Sequence, residues 1–305
     1  WKGMRDTFRF RLLFGGVVSV IAIVILWFWG DTLAMLFMKS EANNPTDIAL
    51  TVEHGMAYLK IALWGLVPFM VVQVYSGLLR EMGETVSPMI ASVIAILTNL
   101  ALNYIFIYGK LGCPAMGVAG AALATVIARF LEMGYIMWIT HRGHARFRFI
   151  EGAYKSMHVP AELVRKIAIT GAPLMFNELL WSLGTTFVNA NYSSRGLVVV
   201  AAMNIATTAW NLFCVIMFAM GNAVSIIIGQ QLGAGEIEEA KRTDNKLLFF
   251  TVVLHIGVGA LIAITAPFIP LIYNTTPEVQ RLTTELLLVA GAALPIQAFA
   301  HVTYF

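Results

Sequence analysis

Charge is what this sequence has least of. Asp, Glu, Lys and Arg make up 12% of its 305 residues, against about 25% in soluble domains. Hydrophobic residues make up 59% and mean hydropathy is +0.77, more apolar surface than a water-soluble fold can hide. The surrounding solvent is therefore lipid, which cannot hydrogen-bond exposed backbone and so admits only helices or closed barrels. The apolar runs are continuous and do not alternate every second residue, which excludes a barrel. Only two cysteines occur, Cys113 in a loop and Cys214 inside an apolar run, and no disulfide framework follows. Catalytic motifs are missing too: there is no HExxH and no GxSxG, so an enzyme is not expected. His141 and His144 form an HxxH with no third ligand nearby, so neither a metal nor a cofactor is expected. The net charge is +3, and the pI of 8.9 reflects loop charge, not a nucleic-acid surface.

Long apolar runs are what is present. A helix that crosses a bilayer needs about 20 apolar residues, and eight stretches qualify: 12–38, 56–79, 88–108, 117–140, 167–191, 197–229, 247–273 and 283–305. Turn-rich stretches such as 41–45, 109–114 and 274–277 separate them. Residues 1–11 carry four basic residues, but the apolar run after them is too long for a signal-peptide core. Lys and Arg in alternate loops set the orientation. One set holds fourteen (in 1–11, at Arg80, in 141–166 and in 236–246), and the other holds five: Lys39, Lys60, Lys110, Arg195 and Arg281. Residue 1 and the 141–166 stretch are therefore expected in the cytoplasm. The two Asn-x-Ser/Thr sequons, at Asn191 and Asn274, fall on the opposite side and are read as chance.

The basic stretch 141–166 divides the chain into residues 1–140 and 167–305, with four spans in each. Leu12-Leu13-Phe14 followed by Val17-Val18 matches Leu247-Leu248-Phe249 followed by Val252-Val253, an offset of 235, and Pro68 matches Pro295 at an offset of 227. Similar offsets from separate spans indicate a duplication with parallel halves. The spans at 167–229 have no counterpart before residue 1, and counterparts of 88–140 would fall beyond Phe305. The expected whole has six spans per half, of which two are missing at each end. The fold class expected is all-α: a polytopic membrane protein of two pseudo-symmetric helical-bundle lobes, truncated at both ends.

Three strings carry a resemblance. The first is Gly221-Asn222-Ala223-Val224-Ser225 leading to Gly229-Gln230-Gln231-Leu232-Gly233-Ala234-Gly235. The second is Gly77-Leu78-Leu79-Arg80-Glu81-Met82-Gly83-Glu84-Thr85 running into Pro88. The third is Asn99 to Asn103-Tyr104 and Tyr108-Gly109, followed by Gly117 and Gly120 to Thr125. In this order they resemble the multidrug and toxic compound extrusion (MATE) family, across the whole chain, as helices 3 to 10 of twelve. The resemblance implies a V-shaped pair of six-helix lobes and export of organic compounds in exchange for protons or sodium ions.

Glu178 stands with Asn177 in an otherwise uncharged span, after Pro173. A carboxylate within the hydrocarbon costs about 2.5–3.5 kcal/mol on insertion scales, so it is read as a cation or proton carrier, or as a structural Glu near the interface. The resemblance adds a difference: the branch of the family with an acid in this helix carries it about two turns past the proline, where this chain has Leu180 and Trp181. That branch also has an acid in helix 10, where this chain has Gln297 and His301.

Asn99 and Asn103, four residues apart, share a helix face, with Thr125 at similar depth in the next span. The resemblance sets these three beside the family's proton-linked site, and the other reading is hydrogen-bonded glue between helices. Asn204 and Asn211 line a cavity or pack helices. Arg129 and Glu132, three apart, neutralise one another, and His255 and His301 are read as structural. Pro68, Pro173 and Pro295 each free a carbonyl inside a span and are candidate hinges. Gly120, Ala124 and Ala128 form a small-residue face for close helix contact.

The function expected is a secondary antiporter exporting small cationic or amphipathic compounds against H+ or Na+, acting as a monomer in the inner membrane of a bacterium, with membrane lipid as its surroundings. The alternative is a lipid-linked oligosaccharide flippase of the same superfamily. Such flippases carry several basic residues in the cavity, where this chain has Arg129 alone deep in its spans.

Overall fold

The computed structural model describes residues 1–38, 45–193 and 195–304. Nine α-helices are found among them: α1 (Lys2–Met38), α2 (Pro45–Ala62), α3 (Leu66–Glu81), α4 (Val86–Tyr108), α5 (Gly117–Arg142), α6 (Ala161–Ser193), α7 (Leu197–Gly233), α8 (Ile237–Thr265) and α9 (Pro277–Tyr304). No strand occurs among the described residues. Of the turn expected at 41–45, all but Pro45 lies outside them, as does Lys39. The 109–114 turn forms as expected: Gly109 closes α4 in the left-handed region at φ 66°, a geometry that favours glycine.

Among the described residues seven helical stretches are long and apolar enough to cross a membrane: Lys2–Leu33, Val52–Glu81, Val86–Tyr108, Gly117–Arg142, Val198–Gly233, Ile237–Thr265 and Pro277–Thr303. Eight were expected. The stretch at 167–191 does form a helix, α6, but Asn177, Glu178 and Asn189 dilute it, and it is not among the seven. The second crossing is interrupted by a 3-10 turn at Leu63–Gly65. Pro68 follows it in the first turn of α3 and has no N–H to offer the Trp64 carbonyl.

The helices present large apolar side chains outward throughout, with Phe28, Leu212 and Phe249 each 71% exposed. In water such a surface would drive association; against acyl chains it loses nothing.

Packing divides the chain into two compact units, Trp1–Glu178 and Leu179–Phe305, a division that falls inside α6. In the first unit, α5 packs on α4, α3 and α2, and α1 packs on α3. Its tightest core lies at its basic end, where Phe8, Tyr75 and Phe149 are fully buried and Phe8 meets Tyr75 edge to face at 5.1 Å. Part of the 141–166 stretch belongs to this core. Arg9 donates from Nε to the Ala153 carbonyl at 2.8 Å and from Nη2 to the Gly152 carbonyl at 2.9 Å. Arg5 Nε donates to Phe149 O at 3.3 Å, and the Tyr75 and Tyr154 hydroxyls are hydrogen-bonded.

In the second unit α9 packs on α7 and α8, around Cys214, Met217, Ile262, Leu287 and Leu294. A methyl group built on Gly259 would lie 2.5 Å from the Gly291 carbonyl oxygen, so α8 and α9 cross at a distance that only glycine allows. Gly291 is also the residue whose carbonyl Pro295, within α9, leaves without an N–H partner.

Candidate functional site

Two helices of the first unit, α4 and α5, build the best-formed polar site. They approach closely near their Gly109 and Gly117 ends, where a methyl group on Gly120 would fall 2.8 Å from the Phe106 backbone. Ala124 and Ala128 continue the small face and are buried. Further along, a groove of about 370 Å³ opens, lined by Ser92, Asn99, Thr125, Arg129 and Glu132 with Ala95, Ile96 and Ala128.

The polar residues are linked in a directed series. Asn103 Nδ2 donates to Asn99 Oδ1 at 2.9 Å, Asn99 Nδ2 donates to Thr125 Oγ1 at 3.1 Å, and Thr125 Oγ1 donates to the Ala121 carbonyl at 3.0 Å. The helix carbonyl at its end fixes the direction, because a carbonyl can only accept. Asn103 Oδ1, at the other end, is buried and accepts no hydrogen bond among the described residues. One turn along α5 from Thr125 stands Arg129. Its Nη1 donates to Glu132 Oε2 at 2.7 Å, and its guanidinium lies over the Phe69 ring, 5.0 Å from the centroid. Ser92 Oγ donates to the other carboxylate oxygen, Oε1, at 3.2 Å. From Ser92 to Asn103 the series runs eleven residues along α4, about 16 Å at 1.5 Å per residue.

The structure therefore brings Asn99, Asn103 and Thr125 together, and adds the Arg129–Glu132 pair to the same wall. Sequence reading missed the joining of the two groups. Ser92 and Phe69 gave no signal, being a serine among apolar residues and one phenylalanine of nineteen.

Other expected site residues lie apart from this wall. Asn177 and Glu178 are on the exposed surface of α6, as is Pro173. Asn204 and Asn211 share the exposed face of α7, opposite buried Ala202, Ile205, Ala206 and Ala209, and Gln297 is exposed on α9. Pro68 is buried and Pro295 half-buried. His301 meets Phe218 edge to face at 5.2 Å. His255 is fully buried; its Nδ1 donates to the Thr251 carbonyl at 2.7 Å, and its Nε2 is buried and without a partner among the described residues. His141 stacks on Tyr154 and His144 pairs with Glu151 at 3.4 Å. Among the described residues no three His, Cys, Asp or Glu side chains come together as a metal-binding group.

Comparison with known proteins places this arrangement. The MatE family model matches residues 1–105 and 173–304. Multidrug resistance protein MdtK of Cronobacter sakazakii is 29% identical over 300 residues, covering 95% of this chain and 62% of that protein. MdtK of Klebsiella pneumoniae is 28% identical over 280 residues, covering 90% of this chain and 58% of that protein. The chain thus spans less than two thirds of the length of these relatives. Among solved structures, a MATE protein in the bent conformation superposes with a TM-score of 0.76 at 21% identity, over 99% of this chain and 65% of that one. The Vibrio cholerae MATE transporter VcmN, in its bent form, superposes with a TM-score of 0.70 at 20% identity, over 96% and 65%. At these identities the likeness concerns the fold.

Proposed function

This chain belongs to the MatE family, and on that premise we propose that the protein is a secondary active exporter of small organic compounds, cationic or amphipathic, in exchange for H+ or Na+. Residue 1 and the 141–166 stretch lie on the cytoplasmic side of a bacterial inner membrane, as the Lys and Arg count requires. The observation that carries the reading is the directed polar series Asn103–Asn99–Thr125, of which Asn99 and Thr125 line an open groove between two membrane helices. Polar side chains in such helices are costly unless they are bonded or face a cavity, and Asn99 and Thr125 do both.

Glu178, with Asn177, is proposed as a second carrier, and Asn204, Asn211 and Gln297 as further lining residues. Pro68, Pro173 and Pro295 are proposed as the bends that move. The flippase reading is disfavoured: a pyrophosphate needs several cations, whereas Arg129 is the deep cation in the groove and Glu132 neutralises it. Relatives named for multidrug resistance support the exporter.

The test is efflux of a fluorescent organic cation from cells expressing wild type, Asn99→Ala or Glu178→Gln at equal membrane levels. Loss in Asn99→Ala by on the order of tenfold, equivalent to about 1.4 kcal/mol, supports a site on the α4–α5 wall. Loss in Glu178→Gln alone moves the site to α6, and no efflux by wild type overturns the exporter reading.

A further inference from the structure

Three carboxylates are buried among the described residues: Asp6, Glu84 and Glu132. Asp6 and Glu84 sit at the basic end of the first unit, paired with Arg9 and Arg146. Glu132 alone of the three borders the groove. Its two oxygens are engaged differently, one by a charged donor on its own helix and one by the Ser92 hydroxyl of α4. The pair is also lopsided, for the Glu132 side chain is 3% exposed while that of Arg129 is 37% exposed. The anion is sealed in and the cation faces the groove.

The surroundings isolate this pair. Across Val86–Tyr108, α4 carries no Asp, Glu, Lys, Arg or His. The ionisable residues of α3 are Tyr75, whose hydroxyl is bonded to Tyr154 at the basic end, and Arg80 and Glu81 at its last turn, with Glu81 paired to Arg11 at 2.7 Å. Gly65 lies against Val126 and Phe69 under Arg129, a register that sets Lys60 of α2 about 16 Å along the helix axes from the level of Glu132. Glu53, His54 and Tyr58 of α2 lie further still in the same direction. On α5 itself Tyr135 is the next ionisable residue, and His141 and Arg142 are engaged with Tyr154 and Trp138 at the basic end. Glu132 thus answers to Arg129 and to whatever enters the groove.

We infer that Glu132 is a proton-carrying residue of the exchange and that Arg129 is the charge its protonation releases into the groove, an inference that rests on the exporter reading. The step balances simply. A proton from the outer water binds the Glu132 carboxylate to give the carboxylic acid, so the ion pair ends and the wall goes from zero net charge to +1. Arg129, already braced on Phe69 and partly open, then repels a cation held between Asn99 and Ser92. When the proton leaves to the cytoplasm, Arg129 returns to Glu132, and the neutral wall accepts the next cation.

The test compares wild type and the double variant Arg129→Gln/Glu132→Gln, whose wall stays neutral with no carboxyl left to protonate, in proteoliposomes, using a radiolabelled quaternary ammonium compound in two modes. Counterflow exchanges substrate for substrate without net proton movement; uptake driven by a pH gradient requires it. The expected result is a loss of gradient-driven uptake on the order of tenfold greater than any loss of counterflow. Equal losses in both modes, or gradient-driven uptake within about twofold of wild type, overturn the proposal. Acid-induced difference infrared spectra read the proton without transport. A protonated-carboxyl band present in wild type and missing from Glu132→Gln supports the assignment, and a band unchanged in the variant overturns it. A wild type that shows this band but no gradient-driven uptake sinks the exporter reading and leaves Glu132 as a proton acceptor.

Discussion

Removing either member of the Arg129–Glu132 pair should destabilise the protein, but by very different amounts. Arg129→Gln leaves a carboxylate that is 3% exposed with only the Ser92 hydroxyl to bond it. Breaking a buried pair from one side costs about 3–5 kcal/mol, and because the guanidinium is 37% exposed the lower figure applies, about 3 kcal/mol. Glu132→Gln leaves a cation that is more than a third open and keeps its aromatic face. The amide oxygen still accepts from the charged guanidinium, so the loss is the carboxylate's share of the attraction, about 1 kcal/mol. The gap of about 2 kcal/mol is roughly a thirtyfold difference in the folded-to-unfolded ratio. The double variant removes both charges and should lie close to Glu132→Gln, well short of the sum of the single losses. Titration with dodecyl sulfate from mixed micelles, followed by tryptophan fluorescence, measures all three. An Arg129→Gln no worse than Glu132→Gln, or a double variant at the sum, would show that the carboxylate is not sealed as described.

Gly259→Val should cost about 1–3 kcal/mol of overpacking, since even the first added carbon meets the Gly291 carbonyl oxygen at 2.5 Å. Gly291→Ala, whose added carbon meets the Gly259 carbonyl oxygen at 3.0 Å, should be milder, and the same titration ranks the two. At the basic end, burial pushes the Glu84 carboxyl up, but hydrogen bonds from the Ser87 amide and hydroxyl and the Arg146 guanidinium outweigh it and bring it below its ordinary 4.5. The stability it contributes, about 1 kcal/mol for a pair with one exposed partner, is therefore complete above pH 4.5 and lost as pH falls below it. Unfolding of wild type and Glu84→Gln should differ at neutral pH and converge in acid; a constant difference across that range refutes the assignment.

The sequence showed most clearly what lipid imposes. Continuous apolar runs could only be helices, and seven of the eight expected stretches form helices long and apolar enough to cross, two of them starting ten residues early at Lys2 and Ile237. The eighth, α6, shows the limit: Asn177, Glu178 and Asn189 leave its length intact while lowering its apolarity. Within the site, the contacts legible beforehand were those set by helix pitch, Asn99 with Asn103 and Arg129 with Glu132. Thr125 was placed by counting depth in neighbouring spans. Ser92 to Glu132 was not legible, because that bond joins residues forty apart through the rotation of α4 against α5, which the pattern of apolar residues leaves free. Arg5 and Arg9 illustrate a different gap. They count as topology signals, and the same guanidiniums also bind the carbonyls of Arg148, Phe149, Gly152 and Ala153, a use that charge counting cannot show.

That last arrangement changes the mechanics of the basic stretch between α5 and α6. By sequence it looks like slack rope, a coil free to wander. Clamped to α1 and α3 as far as Tyr154, it leaves only residues 156–160 between Lys155 and the first turn of α6. Fully extended, such a leash reaches about 20 Å, and Pro160 stiffens its end. The start of α6 therefore moves on a short radius about a fixed post, and any stroke that passes through it is bounded by the chain itself.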